Sequence, residues 1–266
     1  MGKAVTPTCL KWTMSDLKND ISSQAAPARR AVLRGLALSG LSIAVAACGS
    51  TGGQSAVAAG TTAPTSALPE LPKTPDGALQ RLMAGNERLL ANKALHTQTL
   101  DGIRLHATGQ SPYAQVFGCA DSRVPVEAVF DEDFGDVFVT RTAGNVLSEP
   151  TIGTIEYGVV ALNTPLIMVL GHQNCGAVKA AVDAMKDPSK TPPGALGALV
   201  NALVPAAVEV KDRGGDIYAA ALEAHIRKCV ETLQANPVLK EAITAGKLRV
   251  VGASYDLTTA KVTLYQ

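Results

Sequence analysis

The sequence predicts an α/β domain whose largely parallel β-sheet is flanked by helices. Two observations support this prediction: short apolar runs of strand length recur along the second part of the chain, and longer segments with helical periodicity lie between them. The runs lack polar alternation, which is typical of strands that are buried on both faces. Strands that alternate with helices favour a parallel sheet with covered faces.

The first predicted element is an amphipathic helix over residues 76–93. Its apolar residues recur at three- and four-residue spacing and form one wide stripe. The strands and helices that follow alternate, and residues 261–265 alternate in polarity as an edge strand does. The predicted strands cover residues 114–118, 137–140, 166–170 and 248–251, and the predicted helices cover residues 151–162, 175–185, 197–211 and 217–235.

Residues 1–48 are predicted to be a leader that ends in a signal peptide. The pair Arg29-Arg30 precedes an apolar stretch over residues 36–47, which is the layout of an export signal. The stretch has about twelve residues, whereas a transmembrane helix needs roughly 20, so a permanent membrane span is not expected. The arginine pair resembles a twin-arginine signal. We therefore predict export to the periplasm or cell envelope.

The end of the leader resembles a bacterial lipobox. Residues 45–48, Val-Ala-Ala-Cys, would place a lipid anchor on Cys48 and make the product a membrane-anchored lipoprotein. The alternative is simple cleavage near Ala46 or Ala47 and release of a free soluble protein. Residues 49–71 are rich in Gly, Ser, Thr, Ala and Pro and are predicted to form a flexible linker. The folded domain is expected to cover residues 72–266.

The composition indicates a small substrate. Basic and acidic residues nearly balance, 24 against 23, for a formal net charge of +1, so no overall field would attract nucleic acid or anionic lipid. Aromatic residues make up only 4% of the chain, which argues against base stacking and against a large ring-lined cleft. The five cysteines are widely spread and do not resemble the set of a disulfide-stapled protein.

Three soft ligand side chains follow two of the predicted strands. Cys119 comes directly after the strand 114–118, and the third strand runs into a loop that contains His172 and Cys175. In open α/β sheets the loops at the carboxyl ends of the strands gather at one crevice, so these side chains can meet there. Two thiolates, one imidazole and an open fourth position are the pattern of a catalytic zinc site.

An acidic and a basic residue lie beside the first of these cysteines. Asp121 and Arg123 are two residues apart, so they can pair if the segment is extended. In an exposed loop such a pair contributes little and needs no function. Beside a zinc ion, the pair could hold the carboxylate in place, orient a metal-bound hydroxide, or release Asp121 to bind the metal itself in a closed state.

Several segments of the chain resemble those of one enzyme family. Residues 119–124 (CADSRV) and 171–178 (GHQNCGAV) are similar to the two signature segments of β-class carbonic anhydrases. Residues 82–88, 135–145 and 155–157 resemble the family's N-terminal helix, its second strand with the following turn, and its next helix. The similarity extends from the first predicted helix to the C-terminus.

This resemblance implies a zinc enzyme that reversibly hydrates carbon dioxide to bicarbonate and a proton. It implies zinc held by Cys119, His172 and Cys175, with Asp121 and Arg123 as the partner dyad. Zinc lowers the pKa of a bound water to about 7, so a zinc-bound hydroxide would attack carbon dioxide at neutral pH.

The resemblance also implies how substrate is held and how the chain assembles. Gln110 is similar to a glutamine that hydrogen-bonds substrate, and Phe138 and Tyr157 match positions that wall a small apolar pocket for carbon dioxide. Family members form dimers through their N-terminal helices, which are exchanged between subunits, and dimers often pair again. A homodimer or homotetramer with no nucleic-acid partner is therefore expected.

Two other functions stay open at this level. The same site would suit carbon disulfide or carbonyl sulfide, which are also linear triatomic electrophiles. In a different class, the chain could be a non-catalytic zinc-binding or thiol-redox lipoprotein of the envelope, in which Cys119 and Cys175 form a disulfide if they lie close enough.

The histidines outside the metal set have no assigned role. A proton must leave the site in each hydration cycle, and histidine titrates in the suitable range. His96, His106 and His225 are nevertheless interpreted as surface or helix-face residues, so no proton shuttle is predicted. Cys229 lies in a predicted helix and is interpreted as a buried core residue.

Overall fold

The computed structural model describes residues 70–96 and 98–265, in which five strands form one sheet of order β2-β1-β3-β4-β5. The first four strands run parallel, and β5 is antiparallel to β4. The predicted α/β fold with a largely parallel sheet and a C-terminal edge strand is confirmed. The strands are β1 (Ala114–Cys119), β2 (Val137–Thr142), β3 (Leu166–His172), β4 (Arg249–Tyr255) and β5 (Val262–Leu264).

Helices connect and cover the strands. Three of them, α2 (Leu100–Leu105), α3 (Val126–Val129) and α8 (Pro237–Thr244), were not predicted from the sequence. They have only six, four and eight residues, too few to show a helical period. The boundaries of the others lie within a few residues of the prediction. The helices of the described residues are α1 (Pro75–Leu90), α2 (Leu100–Leu105), α3 (Val126–Val129), α4 (Glu149–Val160), α5 (Gly176–Lys186), α6 (Gly194–Glu209), α7 (Ile217–Gln234) and α8 (Pro237–Thr244).

The central strands separate two apolar layers. Along β3, Met168 and Leu170 face the layer that contains α1, whereas Ile167 and Val169 face the layer that contains α5 and α7. All four side chains are fully buried, because successive residues of a strand point to opposite faces of the sheet. A strand covered on both faces needs apolar residues at every position, which explains the uninterrupted runs in the sequence.

Helix α1 begins and docks through a few specific residues. Thr74 caps it by accepting a backbone N–H, and Pro75 occupies the first turn, where no hydrogen bond is lost. Asn86 is buried and donates to the carbonyl oxygens of Val129 and Ala260. The N-terminal helix is thereby tied to the last part of the chain.

Three strands end at the same edge of the sheet. Cys119, at the end of β1, is paired with Thr142 at the end of β2, and His172 is the last residue of the neighbouring strand β3. The loops that follow these strands therefore share one crevice, as the sequence predicted.

The predicted leader, which ends at Cys48, and nearly all of the predicted linker lie outside the described residues. The domain boundary near residue 72 and the lipid anchor therefore stay predictions. Over residues 70–96 and 98–265, no helix is long and apolar enough to cross a bilayer.

Candidate metal centre

Cys119, His172 and Cys175 converge at the carboxyl edge of the sheet. Cys119 ends β1, His172 ends β3, and Cys175 is the N-cap residue directly before α5. One ligand atom from each residue lies within 4.8 Å of the other two, and all three side chains are buried. The structure thus brings together the three side chains that the sequence singled out.

The chemistry of these three side chains fits zinc. His172 Nδ1 donates a hydrogen bond of 2.8 Å to the carbonyl oxygen of Gln173, which leaves the lone pair of Nε2 available for a metal. That Nε2 atom is buried, and it has no hydrogen-bond partner among the described residues. A buried nitrogen without a partner, aimed at two sulfurs, is what a Cys2His zinc site requires.

The surroundings favour loss of the proton from one of the two thiols. A hydrogen bond from Cys175 lowers the pKa of Cys119, and the same contact together with burial raises the pKa of Cys175. The N–H of Gly144 also donates to Cys119 Sγ at 3.3 Å. These contacts favour the thiolate form of Cys119, and binding of a divalent cation would displace the proton that remains on Cys175. Cys119, Cys175 and Cys229 are all free thiols.

Asp121 and Arg123 form a two-pronged ion pair beside these ligands. Arg123 donates from Nε to Oδ1 at 2.9 Å and from Nη2 to Oδ2 at 2.7 Å, and its backbone N–H also reaches Oδ1. Asp121 Oδ2 lies 3.7 Å from His172 Nε2. The hydrogen bonds from Arg123 hold the pKa of Asp121 far below its usual range. Asp121 is thus a fixed carboxylate at the rim of the site, and its role as a metal ligand in a closed state stays a prediction.

Arg141 fixes the loop that carries both Cys119 and Asp121. Its Nε donates to the carbonyl oxygen of Cys119 at 2.8 Å, and its Nη2 donates to the carbonyl oxygen of Asp121. This contact was not predicted from the sequence. The available signal was a basic residue at the end of β2, which pairs with Gly118 one residue before Cys119.

The turn Ala143–Asn145, which follows β2, is hydrogen-bonded to both strands that carry ligands. Asn145 is buried, and its Nδ2 donates to the carbonyl oxygens of Phe117 at 2.9 Å and Leu170 at 3.1 Å. These carbonyls lie two residues before Cys119 and His172. Gly144 has a φ of 64°, and a Cβ there would meet the side chains of the packed helices at under 3 Å. The sequence analysis missed this turn as part of the site.

The residues predicted to bind substrate lie elsewhere in the subunit. Phe138 and Tyr157 are neighbours, with ring centroids 6.1 Å apart. Phe138 is paired with Gln115, which lies four residues before Cys119. Phe138 and Cys119 are therefore about 13 Å apart along the strand direction. Gln110 is exposed in the segment that precedes β1, at the opposite end of that strand from Cys119. Their roles stay predictions.

The three other histidines differ in exposure. His96 and His106 are half-buried, and they contact Asp131 and Gly135 respectively. His225 is only 6% exposed. Of the two alternatives predicted for it, a helix-face position is the one found, because His225 lies on the face of α7 that packs against the rest of the domain. The interpretation of Cys229 as a buried core residue is confirmed.

A cavity reaches the metal ligands from the side of α7. It has a volume of about 580 Å³ and touches His172 and Cys175. Its wall also includes Asn174, Lys179, Asp216, Tyr218, Ser254 and Tyr265. Cys119, Asp121 and Arg123 are not part of this wall.

Known proteins with similar sequences and folds are carbonic anhydrases. A family model described as carbonic anhydrase matches residues 114–262. "Carbonic anhydrase 2" of Mycobacterium tuberculosis is 40% identical over 197 residues, which cover 73% of this chain and 95% of that protein.

Solved structures of β-carbonic anhydrases share the fold. One from Coccomyxa, in complex with acetazolamide, is 29% identical with a TM-score of 0.55, over 61% of this chain and 76% of that one. A tetrameric one from Sordaria macrospora is 24% identical with a TM-score of 0.55, over 70% and 95%. With the family model matching over half of its length, this chain belongs to the carbonic anhydrase family, in the β class.

Proposed function

We propose that this chain is a zinc-dependent carbonic anhydrase that interconverts carbon dioxide and bicarbonate. The observation that carries the proposal is the buried group of Cys119, His172 and Cys175 with the Asp121–Arg123 pair beside it. A structural zinc site is closed by four protein ligands, and the described residues supply three to this group. The ligand count therefore favours catalysis.

The residues around the ligands are suited to orienting a nucleophile. When bound, zinc would supply that nucleophile at neutral pH by lowering the pKa of a water. Asp121 is kept deprotonated by Arg123, and an ionised carboxylate can only accept hydrogen bonds. It would therefore accept a hydrogen bond from the attacking water and fix its direction. Arg141 holds the backbone of Cys119 and Asp121, so ligand and carboxylate keep a constant spacing.

We propose further that a second copy of the chain completes the substrate pocket. Gln110, Phe138 and Tyr157 cannot reach the metal ligands of their own subunit, because they lie toward the other end of the strands. Phe138, on the edge strand β2, and Tyr157 nevertheless form a partly exposed aromatic pair. An exposed apolar surface of this kind indicates a binding partner.

Leucines in α2 and just before it offer a surface for that second copy. Leu95, Leu100 and Leu105 are 69%, 61% and 62% exposed. Monomeric proteins rarely expose several large apolar side chains so close together. The structurally similar protein from Sordaria macrospora is a tetramer, which supports assembly of this chain through such a surface.

We also propose that the leader exports the protein and that Cys48 receives a lipid. The support is the sequence alone: the arginine pair, the short apolar stretch and the Val-Ala-Ala-Cys ending. The linker over residues 49–71 would then let the domain extend from the membrane surface.

Replacing any one of the three ligands is expected to remove zinc and carbon dioxide hydration together. Cys119→Ser, His172→Ala or Cys175→Ser leaves two strong ligands, fewer than a catalytic zinc site uses. Zinc content is measured by elemental mass spectrometry and hydration by stopped flow. Gln173→Ala is the control, because its exposed side chain bonds Asp256 and not the ligands. Full activity without zinc, or hydrolysis of carbonyl sulfide alone, would contradict the proposal.

Asp121→Asn and Arg123→Gln are expected to keep zinc but lower kcat/KM about 100-fold, since the nucleophile loses its orientation. The double variant should be no worse than either single variant, because the two residues act as one unit. Glu231→Gln, which breaks the exposed pair with Arg227 on α7, is the control. Loss of zinc from Asp121→Asn would instead identify Asp121 as a ligand.

The wild-type chain is expected to be a dimer or tetramer, and Leu100→Asp with Leu105→Asp should produce inactive monomers. Charges at these exposed positions would oppose apolar contact between two copies. Sedimentation velocity gives the assembly state, and stopped flow gives activity. Leu196→Asp, at a position 58% exposed on α6, serves as the control. A fully active wild-type monomer would exclude the shared pocket.

Cys48→Ala is expected to move the exported protein from the membrane to the soluble fraction of the envelope. The lipid would be lost, while the arginine pair would still direct export. Cell fractionation with a labelled fatty acid measures both effects. Equal membrane association of Cys48→Ala and wild type would refute lipidation at this residue.

A further inference from the structure

The main-chain oxygen of Asn145 joins the turn Ala143–Asn145 to helix α7. His225 Nε2 lies 3.1 Å from this oxygen and Cys229 Sγ lies 3.5 Å from it. The two residues are four apart on α7, so their side chains lie on the same face. A carbonyl oxygen only accepts hydrogen bonds, so both side chains donate to it.

These donors are buried and have no role in the chemistry described above. His225 is 6% exposed and Cys229 is 3% exposed. Burial lowers the pKa of His225, so its ring is neutral with the hydrogen on Nε2 at neutral pH. A histidine enclosed in this way is not positioned to carry protons to solvent. Its hydrogen bond to the turn is the contact that needs an explanation.

The turn is held in place by contacts on two sides. Gly144 and Asn145 have φ values of 64° and 54°, so two consecutive residues adopt the left-handed region. Glycine adopts this region without strain and asparagine enters it more readily than other residues with a side chain, so the contacts of Asn145 determine how the turn is oriented. The side chain of Asn145 is anchored to β1 and β3, and its carbonyl is anchored to α7.

The turn Ala143–Asn145 also controls a hydrogen bond to a metal ligand. Gly144 N–H, which donates to Cys119 Sγ at 3.3 Å, belongs to the residue directly before Asn145. A rotation of the turn would therefore move this N–H away from the sulfur. Hydrogen bonds to a ligand thiolate withdraw charge from it and fix its direction, so they tune the metal site.

We propose that His225 is a positioning residue for the metal centre: by donating to the Asn145 carbonyl, it keeps the Gly144 N–H on the Cys119 sulfur. Cys229 is the second and weaker donor to the same oxygen. The inference rests on Cys119 being a zinc ligand, as in the proposed function. His225 on α7 is thereby linked to the ligand Cys119 through the turn Ala143–Asn145.

The test compares His225→Gln with His225→Met in the full zinc-loaded chain. The two side chains have similar length, but only glutamine places an N–H donor where Nε2 of the histidine lies. His225→Met is expected to weaken zinc binding about tenfold, as typical for loss of a contact behind a ligand, whereas His225→Gln should stay within about twofold of wild type. Zinc affinity is measured by competition with a chelator.

A spectroscopic measurement follows the ligand itself. After replacement of zinc by cobalt(II), the thiolate-to-metal charge-transfer band should shift in His225→Met and match wild type in His225→Gln. Leu233→Val, in the core face of the same helix, controls for general destabilisation and should leave both readouts unchanged. If His225→Met does not fold, His225→Asn replaces it, because its shorter amide does not reach the Asn145 oxygen.

The outcomes separate this inference from the proposed function. Equal zinc affinity and equal spectra for the Gln and Met variants overturn the inference, and so does an equal loss in Leu233→Val. If the two variants differ as expected but wild-type enzyme with one zinc per chain hydrates no carbon dioxide, the proposed function fails and the positioning role remains.

Discussion

The parallel pairing of β1 with β3 is the constraint on which the metal centre depends. Gly118 pairs with Leu170, so the two strands leave the sheet together and deliver Cys119 and His172 to one edge. A parallel sheet places all its carboxyl ends on the same side, whereas an antiparallel pairing of these strands would place the two side chains at opposite edges. Cys175 then needs only one turn of chain to join them. The ligand set is thus a consequence of topology before it is a consequence of local geometry.

The cost of burying a charged thiolate explains the hydrogen bonds around that edge. An isolated buried charge is strongly unfavourable, yet Cys119 is only 5% exposed and has a lowered pKa. Its charge is shared with the Cys175 thiol and the Gly144 N–H. Arg141 adds a positive charge that reaches the carbonyl of Cys119. The pocket therefore stabilises negative charge at the sulfur, which is the state that a divalent cation binds.

The sequence predicted the sheet, the ligands and the dyad, but not the supports behind them. Strand runs and ligand types leave a direct pattern, so β1, β3, Cys119 and His172 were found. Arg141 and Asn145 act through hydrogen bonds to main-chain carbonyls, and such contacts leave no periodic pattern in the sequence. They depend on which strands are neighbours, and that is fixed only when the whole sheet forms.

His225 shows the same limit more sharply. Its helix was predicted closely, but α7 has polar and apolar residues on adjacent positions, and the sequence does not say which face meets the turn. Once the strands are paired, the turn after β2 lies over the carboxyl ends of β1 and β3, and α7 packs against it. A buried polar side chain on that face must find a partner, and the Asn145 carbonyl lies 3.1 Å from His225 Nε2. A histidine with no role assigned from the sequence therefore acquires a defined contact with the turn beside the metal ligands.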